Sequence, residues 1–212
     1  MRSRAAAATL SSAGFKEVYS MQGGIRAWKG LIAEGAPESG IAYFSPATTA
    51  EELIALAWWL ENGSRKFYSD LAAVIRDQEA RNLFKDLTLA EEHHQTSLLK
   101  LYRELSGLTS ESGFPGSVVP SEKEGDVMEG GIQLSEALQW AKGKSVKEIL
   151  EFSLSSETNS YDLYVKMEHR IKDQRSAQVF HLLSGEEKQH LERLGALFGK
   201  RIQGASPISP QA

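Results

Sequence analysis

No cysteine occurs among the 212 residues of this chain. That single absence removes disulfides, thiolate zinc sites, iron–sulfur centres and cysteine nucleophiles. Any bound metal has to be held by carboxylates and imidazoles. A basic excess is missing too: the net charge is −4, so no positive field invites nucleic acid. No stretch approaches the roughly 18 apolar residues of a membrane span, and the longest run, Leu53 to Leu60, is far too short. Met1-Arg2-Ser3-Arg4 resembles the basic start of a signal peptide, but the alanines after it make a weak apolar segment and no cleavage site follows. The expectation is a cytoplasmic protein.

Composition divides the chain into three zones. Residues 1–45 are mixed and broken by Gly23-Gly24, Gly30, Gly35 and Pro37. Residues 46–202 are dominated by helical periodicity, and 203–212 form a tail with the character of a disordered end. Capping boxes at Thr49–Glu52 and Ser145–Glu148 mark helix starts, and Asp77 and Asp173 each sit where one helix stops and another begins. The spacing predicts four helices, over about 50–75, 78–106, 146–172 and 174–200. A loop from Ser106 to Lys144 joins the two pairs, with a short helix at Leu134–Ala141. Two hairpins joined by one long crossover describe a mainly α four-helix bundle.

An internal repeat supports this reading. Shifted by 96 residues, the two hairpins align without a gap. Glu61 falls on Glu157, Tyr68 on Tyr164, Phe84 on Phe180 and Leu87 on Leu183. Glu91 falls on Glu187, His94 on His190 and Leu98 on Leu194. Glu61 shares its helix face with Ile54, Ala57 and Tyr68. Glu157 shares its own with Leu150, Leu154, Tyr161 and Tyr164. Glu91-x-x-His94 and Glu187-x-x-His190 each put two ligands one turn apart on a common face.

Folding would therefore bury four carboxylates together, at several kcal/mol each if ionised and unpaired. No Lys or Arg recurs on these stripes. Two divalent cations would neutralise the four acids, and two imidazoles would complete the shells. Oxygen and nitrogen ligands without sulfur suit iron, with manganese also possible. A lone Glu-x-x-His on a helix is more often a surface pair. Here it occurs twice, each time with a glutamate thirty positions upstream. The candidate ligands are Glu61, Glu91, His94, Glu157, Glu187 and His190, with Glu91 and Glu187 expected to bridge. The bland alternative, a structural bundle without metal, leaves a buried acid cluster with nothing to compensate it.

Other residues carry weaker signals. Tyr68 and Tyr164 either hydrogen-bond the site carboxylates or simply pack, and Tyr161 is a third option. Glu92 and His93 point off the core face, and His169 and His181 have no ligating repeat partner, so all four are expected at the surface. Trp58-Trp59 reads as core or as a dimer contact, the latter as the most exposed apolar patch.

The segments WWLENGSRKFYSDLA, LAEEHHQTSLLKLY, LSSETNSYDLYVKM and EEKQHLERL resemble the four helices of the rubrerythrin branch of ferritin-like proteins. The resemblance covers about residues 49–200. It implies a ferritin-like fold with a non-haem di-iron centre that reduces hydrogen peroxide, or oxidises Fe(II) with oxygen, and draws electrons from a rubredoxin-like protein. Two departures stand out. The four-cysteine rubredoxin domain of that family is absent from this chain. The family's additional glutamate, three residues after the ligand of the third helix, is Ser160 here, which makes the site look more like that of bacterioferritin and keeps ferroxidase chemistry or iron storage open. A homodimer is the expected assembly, with no nucleic-acid or membrane partner.

Residues 2–30, RSRAAAATLSSAGFKEVYSMQGGIRAWKG, are similar to the C-terminal part of a rhodanese domain, a small partial α/β segment. The family's nucleophilic cysteine would precede Met1, so this chain as written carries no sulfur transfer. A role as a sulfur-linked accessory protein follows as a further alternative.

Overall fold

The computed structural model describes residues 14, 49–107, 113–119, 127–170 and 174–203. Contacts divide the chain into Met1–Ala36 and Pro37–Ala212, and apart from Gly14 everything below belongs to the second unit. The rhodanese-like segment and the tail after residue 203 lie outside the described residues.

Helix α1, Ala50–Val74, starts where the sequence places a capping box. Thr49 accepts from the Glu52 N–H while Glu52 accepts from the Thr49 N–H. Helix α2, Gln78–Ser106, starts at Asp77, whose carboxylate accepts from the Ala80 N–H at 2.9 Å. It ends at Gly107 in the left-handed conformation, φ 67°, the usual exit for a residue without Cβ. A short α3, Leu134–Ala141, precedes α4, Val146–Arg170, and α5, Gln174–Gln203. Ser145 and Glu148 close the second capping box at the start of α4. The four long helices and the short one fall within a few residues of their predicted bounds. Asp77 also pairs with Arg201 at 2.6 Å, which ties the start of α2 to the end of α5.

Helices α1 and α2 pack as one hairpin, and α4 and α5 as the second. The apolar core between them forms two clusters. One holds Leu53, Ile54, Leu60, Leu98, Leu163, Phe180 and Leu183. The other holds Phe67, Leu71, Phe84, Leu87, Leu150, Leu194 and Leu197. The break between them falls after Leu60 on α1, after Leu87 on α2, after Leu150 on α4 and after Leu183 on α5. In each break lies a predicted ligand, so one polar layer crosses the bundle between two apolar ones.

The crossover, where a loop is expected before the short helix, holds a small hairpin. Strands β1, Val127–Met128, and β2, Ile132–Gln133, pair antiparallel, Val127 with Gln133 and Met128 with Ile132. A 3-10 turn, Glu129–Gly131, joins them, with Gly130 and Gly131 both at φ 73°, where a side chain would be strained. This small hairpin lies against α1 and α4. Its approach depends on Gly63: a Cβ there would stand 2.3 Å from the Val127 carbonyl oxygen and 2.7 Å from the Met128 Cα. The obstruction is backbone, so no side-chain rotation relieves it. Gly63→Ala is therefore expected to destabilise the fold by about 1–3 kcal/mol. Equilibrium urea unfolding measures this, and an unchanged midpoint would mean that the hairpin does not seat on α1.

Candidate metal centre

Each ligand reaches the polar layer by helical spacing. Glu61 comes from α1, Glu91 and His94 from consecutive turns of α2, Glu157 from α4, and Glu187 and His190 from consecutive turns of α5. All six are buried, none more than 3% exposed. They arrange as two related halves. His94 Nδ1 lies 2.9 Å from Glu61, and His190 Nδ1 lies 3.3 Å from Glu157. The two imidazoles stack across the centre, 4.9 Å between centroids and 13° apart in plane. Glu91 approaches both, at 3.1 Å from His94 and 3.5 Å from His190. Glu187 groups with Glu61 and His94 on one side and with Glu157 and His190 on the other; in each group the ligand atoms lie within 4.8 Å of one another.

Both oxygens of Glu91 and both of Glu187 are buried without a hydrogen bond. Buried carboxylates in that condition are unstable unless protonated or bound to cations. Among the described residues no Lys or Arg pairs with them. The donor set fits a pair of metal ions: four acids and two imidazole nitrogens converge on one centre, and no sulfur is present.

The tyrosines act crosswise. Tyr68 of α1 hydrogen-bonds Glu157 of α4, and Tyr164 of α4 donates toward Glu61 of α1 at 3.3 Å. Both rings are fully buried, so packing and hydrogen bonding are the same contact here. Tyr161 is not part of the site, being 36% exposed. Leu154 is also only half-buried. The inward stripe of α4 runs through Leu150, Ser153, Glu157, Ser160 and Tyr164, because steps of seven residues track the inside of a helix more closely than repeated steps of four. Glu92, His93, His169 and His181 are exposed as expected. Trp58 is half-buried and meets Phe114 edge-on at 6.2 Å, packed against the core, so it is not the exposed patch the sequence suggested.

One site residue has no sequence signal in the repeat. Glu129, in the turn of the crossover hairpin, is 1% exposed. It accepts from the Tyr164 hydroxyl at 2.9 Å and from the Ser64 hydroxyl at 3.1 Å. It also groups with Glu61 and Glu91 within the same 4.8 Å limit. The available signal was the dipeptide Gly130-Gly131 after an acid in a polar loop, which marks a tight turn without saying where it points.

Burial and neighbouring charge shift the acids in opposite directions. Burial, aided by Glu61, pushes Glu91 well above the usual carboxylate range. Burial, aided by Glu61 and Glu157, does the same to Glu129, and burial with Glu129 and Glu157 does so to Glu187. Burial also opposes ionisation of Glu61 and Glu157. For Glu61 the nearby His94 prevails and lowers it. For Glu157 contacts from Glu187 and His190 prevail and hold it at about 2. Burial works against His94 too, yet Glu61 and Glu91 carry it up to about 12.

A buried layer of Glu and Glu-x-x-His ligands between two helical hairpins defines the class of ferritin-like carboxylate-bridged metal proteins. The rubrerythrin family model matches residues 35–102 and 148–211, more than half of the chain and all six predicted ligands, and the chain belongs to the rubrerythrin family. Glu129 lies between the two matched segments. A solved structure, a hypothetical protein from Pyrococcus furiosus, is similar at 22% identity over 76% of this chain and 94% of its own, with a TM-score of 0.48. No curated protein matches. Among the described residues no helix is long and apolar enough to cross a membrane.

The pKa shifts set a pH dependence. Groups raised on folding (Glu91, Glu129, Glu187 and His94) stabilise the fold fully below their unfolded values and lose that contribution as pH rises. Glu61 and Glu157, lowered on folding, lose theirs only in acid, as pH falls below the ordinary carboxylate range. Between about pH 5 and about pH 8 the first set dominates. The melting temperature of metal-free protein in chelator is expected to fall across that range, and Mn(II) to reverse the fall with release of protons. Differential scanning calorimetry at the two pH values checks this, and a rising melting temperature without metal would contradict it.

Proposed function

We propose that this chain is a di-iron oxidoreductase that reduces hydrogen peroxide. The observation that carries the reading is the set of four buried, unbonded oxygens on Glu91 and Glu187 between two stacked histidines. Membership of the rubrerythrin family supports it. Glu61 with His94, and Glu157 with His190, would be terminal ligands of the two ions. Glu91 and Glu187 would bridge, since each approaches both halves. When bound, two Fe(II) ions supply the two electrons that cleave the O–O bond, and two protons complete two waters.

The protein residues hold that chemistry in place. Tyr68 and Tyr164 fix the carboxylates of the opposite hairpin. Glu186 lies 3.4 Å from His94 Nε2 without hydrogen-bonding it, and adds negative charge on the outer side of that ring. The apolar clusters on both sides keep bulk water from the layer. Manganese fits the same ligand set. This chain has no thiolate centre, so electrons would reach the bundle from a rubredoxin-like or other donor.

Ferroxidase or iron-handling chemistry is the second reading, favoured by Ser160 standing where the rubrerythrin family has its additional glutamate. A cytoplasmic homodimer completes the proposal; with Trp58 engaged inside the chain, its contact face would lie elsewhere.

Metal analysis after anaerobic Fe(II) loading tests the assignment. Two irons per chain are expected, and His94→Ala with His190→Ala together should reduce this to well under one. Retention of two irons in the double variant would sink the ligand set. Rapid oxidation by peroxide with a slow oxygen reaction supports peroxide reduction. Fast reaction with oxygen and accumulation of many irons per chain would favour iron handling.

A further inference from the structure

We propose that Glu129 is a seventh metal ligand, carried by the crossover hairpin to the Glu61 half of the centre, and that it makes the two metal positions unequal. The inference rests on the di-metal reading above and adds a residue the repeat does not contain.

The hairpin places this acid by several independent contacts. The Glu129 N–H donates to the Ser64 hydroxyl at 3.3 Å, and its carbonyl accepts from the Ser156 hydroxyl at 3.2 Å. These bonds hold its backbone against α1 and α4 together. Gly63 allows the approach on one side, and Gly130 and Gly131 allow the turn. The side chain then enters the polar layer, where its carboxylate stands among Glu61 and Glu91 within 4.8 Å.

A purely structural role explains less. A neutral glutamine would still accept from Tyr164 through its one oxygen and could donate its amide N–H to the Ser64 hydroxyl, without adding a fifth acid to a layer that already repels itself. An ionised carboxylate in that position gains over glutamine only if a cation binds beside it.

The two halves differ because of it. On the Glu157 side Tyr68 bonds the ligand directly. On the Glu61 side Tyr164 has one proton to donate and lies nearer Glu129, at 2.9 Å, than Glu61, at 3.3 Å. Among the described residues no acid beyond the four bundle glutamates groups with Glu157 as Glu129 does with Glu61. One metal position therefore has a carboxylate more than the other.

Cobalt(II) titration of the metal-free protein tests this, followed by visible absorption and by competition with a chelator. Wild type should bind two Co(II) with distinct affinities. Glu129→Gln keeps one oxygen to accept from Tyr164 and turns its amide N–H toward the Ser64 hydroxyl oxygen, and the backbone bonds to Ser64 and Ser156 remain, so the hairpin stays seated. It should weaken one of the two positions by at least the ~10–100-fold that outer ligand partners are worth, with the other unchanged. Gly63→Ala displaces the hairpin while leaving all six bundle ligands in place, and should show the same selective loss. Unchanged affinities and spectrum in Glu129→Gln would overturn the assignment while leaving the six-ligand reading intact. A wild type that binds no Co(II) would overturn both.

Discussion

Five carboxylic acids and two imidazoles meet in one buried layer, and the mutual repulsion of the acids is what every other element has to accommodate. Glu61, Glu91, Glu129, Glu157 and Glu187 are all essentially inaccessible. Without cations, burial pushes Glu91, Glu129 and Glu187 toward their neutral forms, while Glu61 and Glu91 favour the charged form of His94. That is a compromise with proton concentration, and divalent metal resolves it more completely. The apolar clusters above and below supply the stability that lets such a layer persist.

The helices and six of the seven site acids and imidazoles were legible in the sequence for one physical reason: a helix turns position into direction. Glu91 and His94 must share a face because they are three residues apart, and a second copy of the pattern removes most of the ambiguity a single one carries. Capping signals at Thr49, Asp77 and Ser145 are equally local, and each appears as an actual hydrogen bond. Finer placement failed where it depended on accumulated helical drift. Tyr161 was put on the inner face of its helix, yet Ser153 and Ser160 occupy the positions that point inward.

Glu129 was illegible for the opposite reason. On a connection without period, direction comes from where the chain happens to run, and that is decided by Gly63 and Ser64 more than sixty residues earlier. Neither stands out in a sequence: one lacks a side chain, the other is a common polar residue. The asymmetry is visible only in space. At the repeat position of Gly63 stands Asn159, and the crossover passes once, so one half of a duplicated site receives an extra group.

The division of ligands between the hairpins shapes the order in which the molecule comes together. Glu61, Glu91 and His94 are contributed by a unit closed by local contacts, and Glu157, Glu187 and His190 by another. Contacts within such hairpins are short in sequence and form early, whereas those between them require closing a loop across the whole crossover. During synthesis the first three ligands emerge together, well before the chain has produced residue 157, and they can be assembled as half a cage while the other half is still being made. The like-charged surfaces of the two halves then resist docking. A cation captured by the first hairpin turns that resistance into attraction, so the same ions that serve the finished centre would also act as the agent that draws its two halves together.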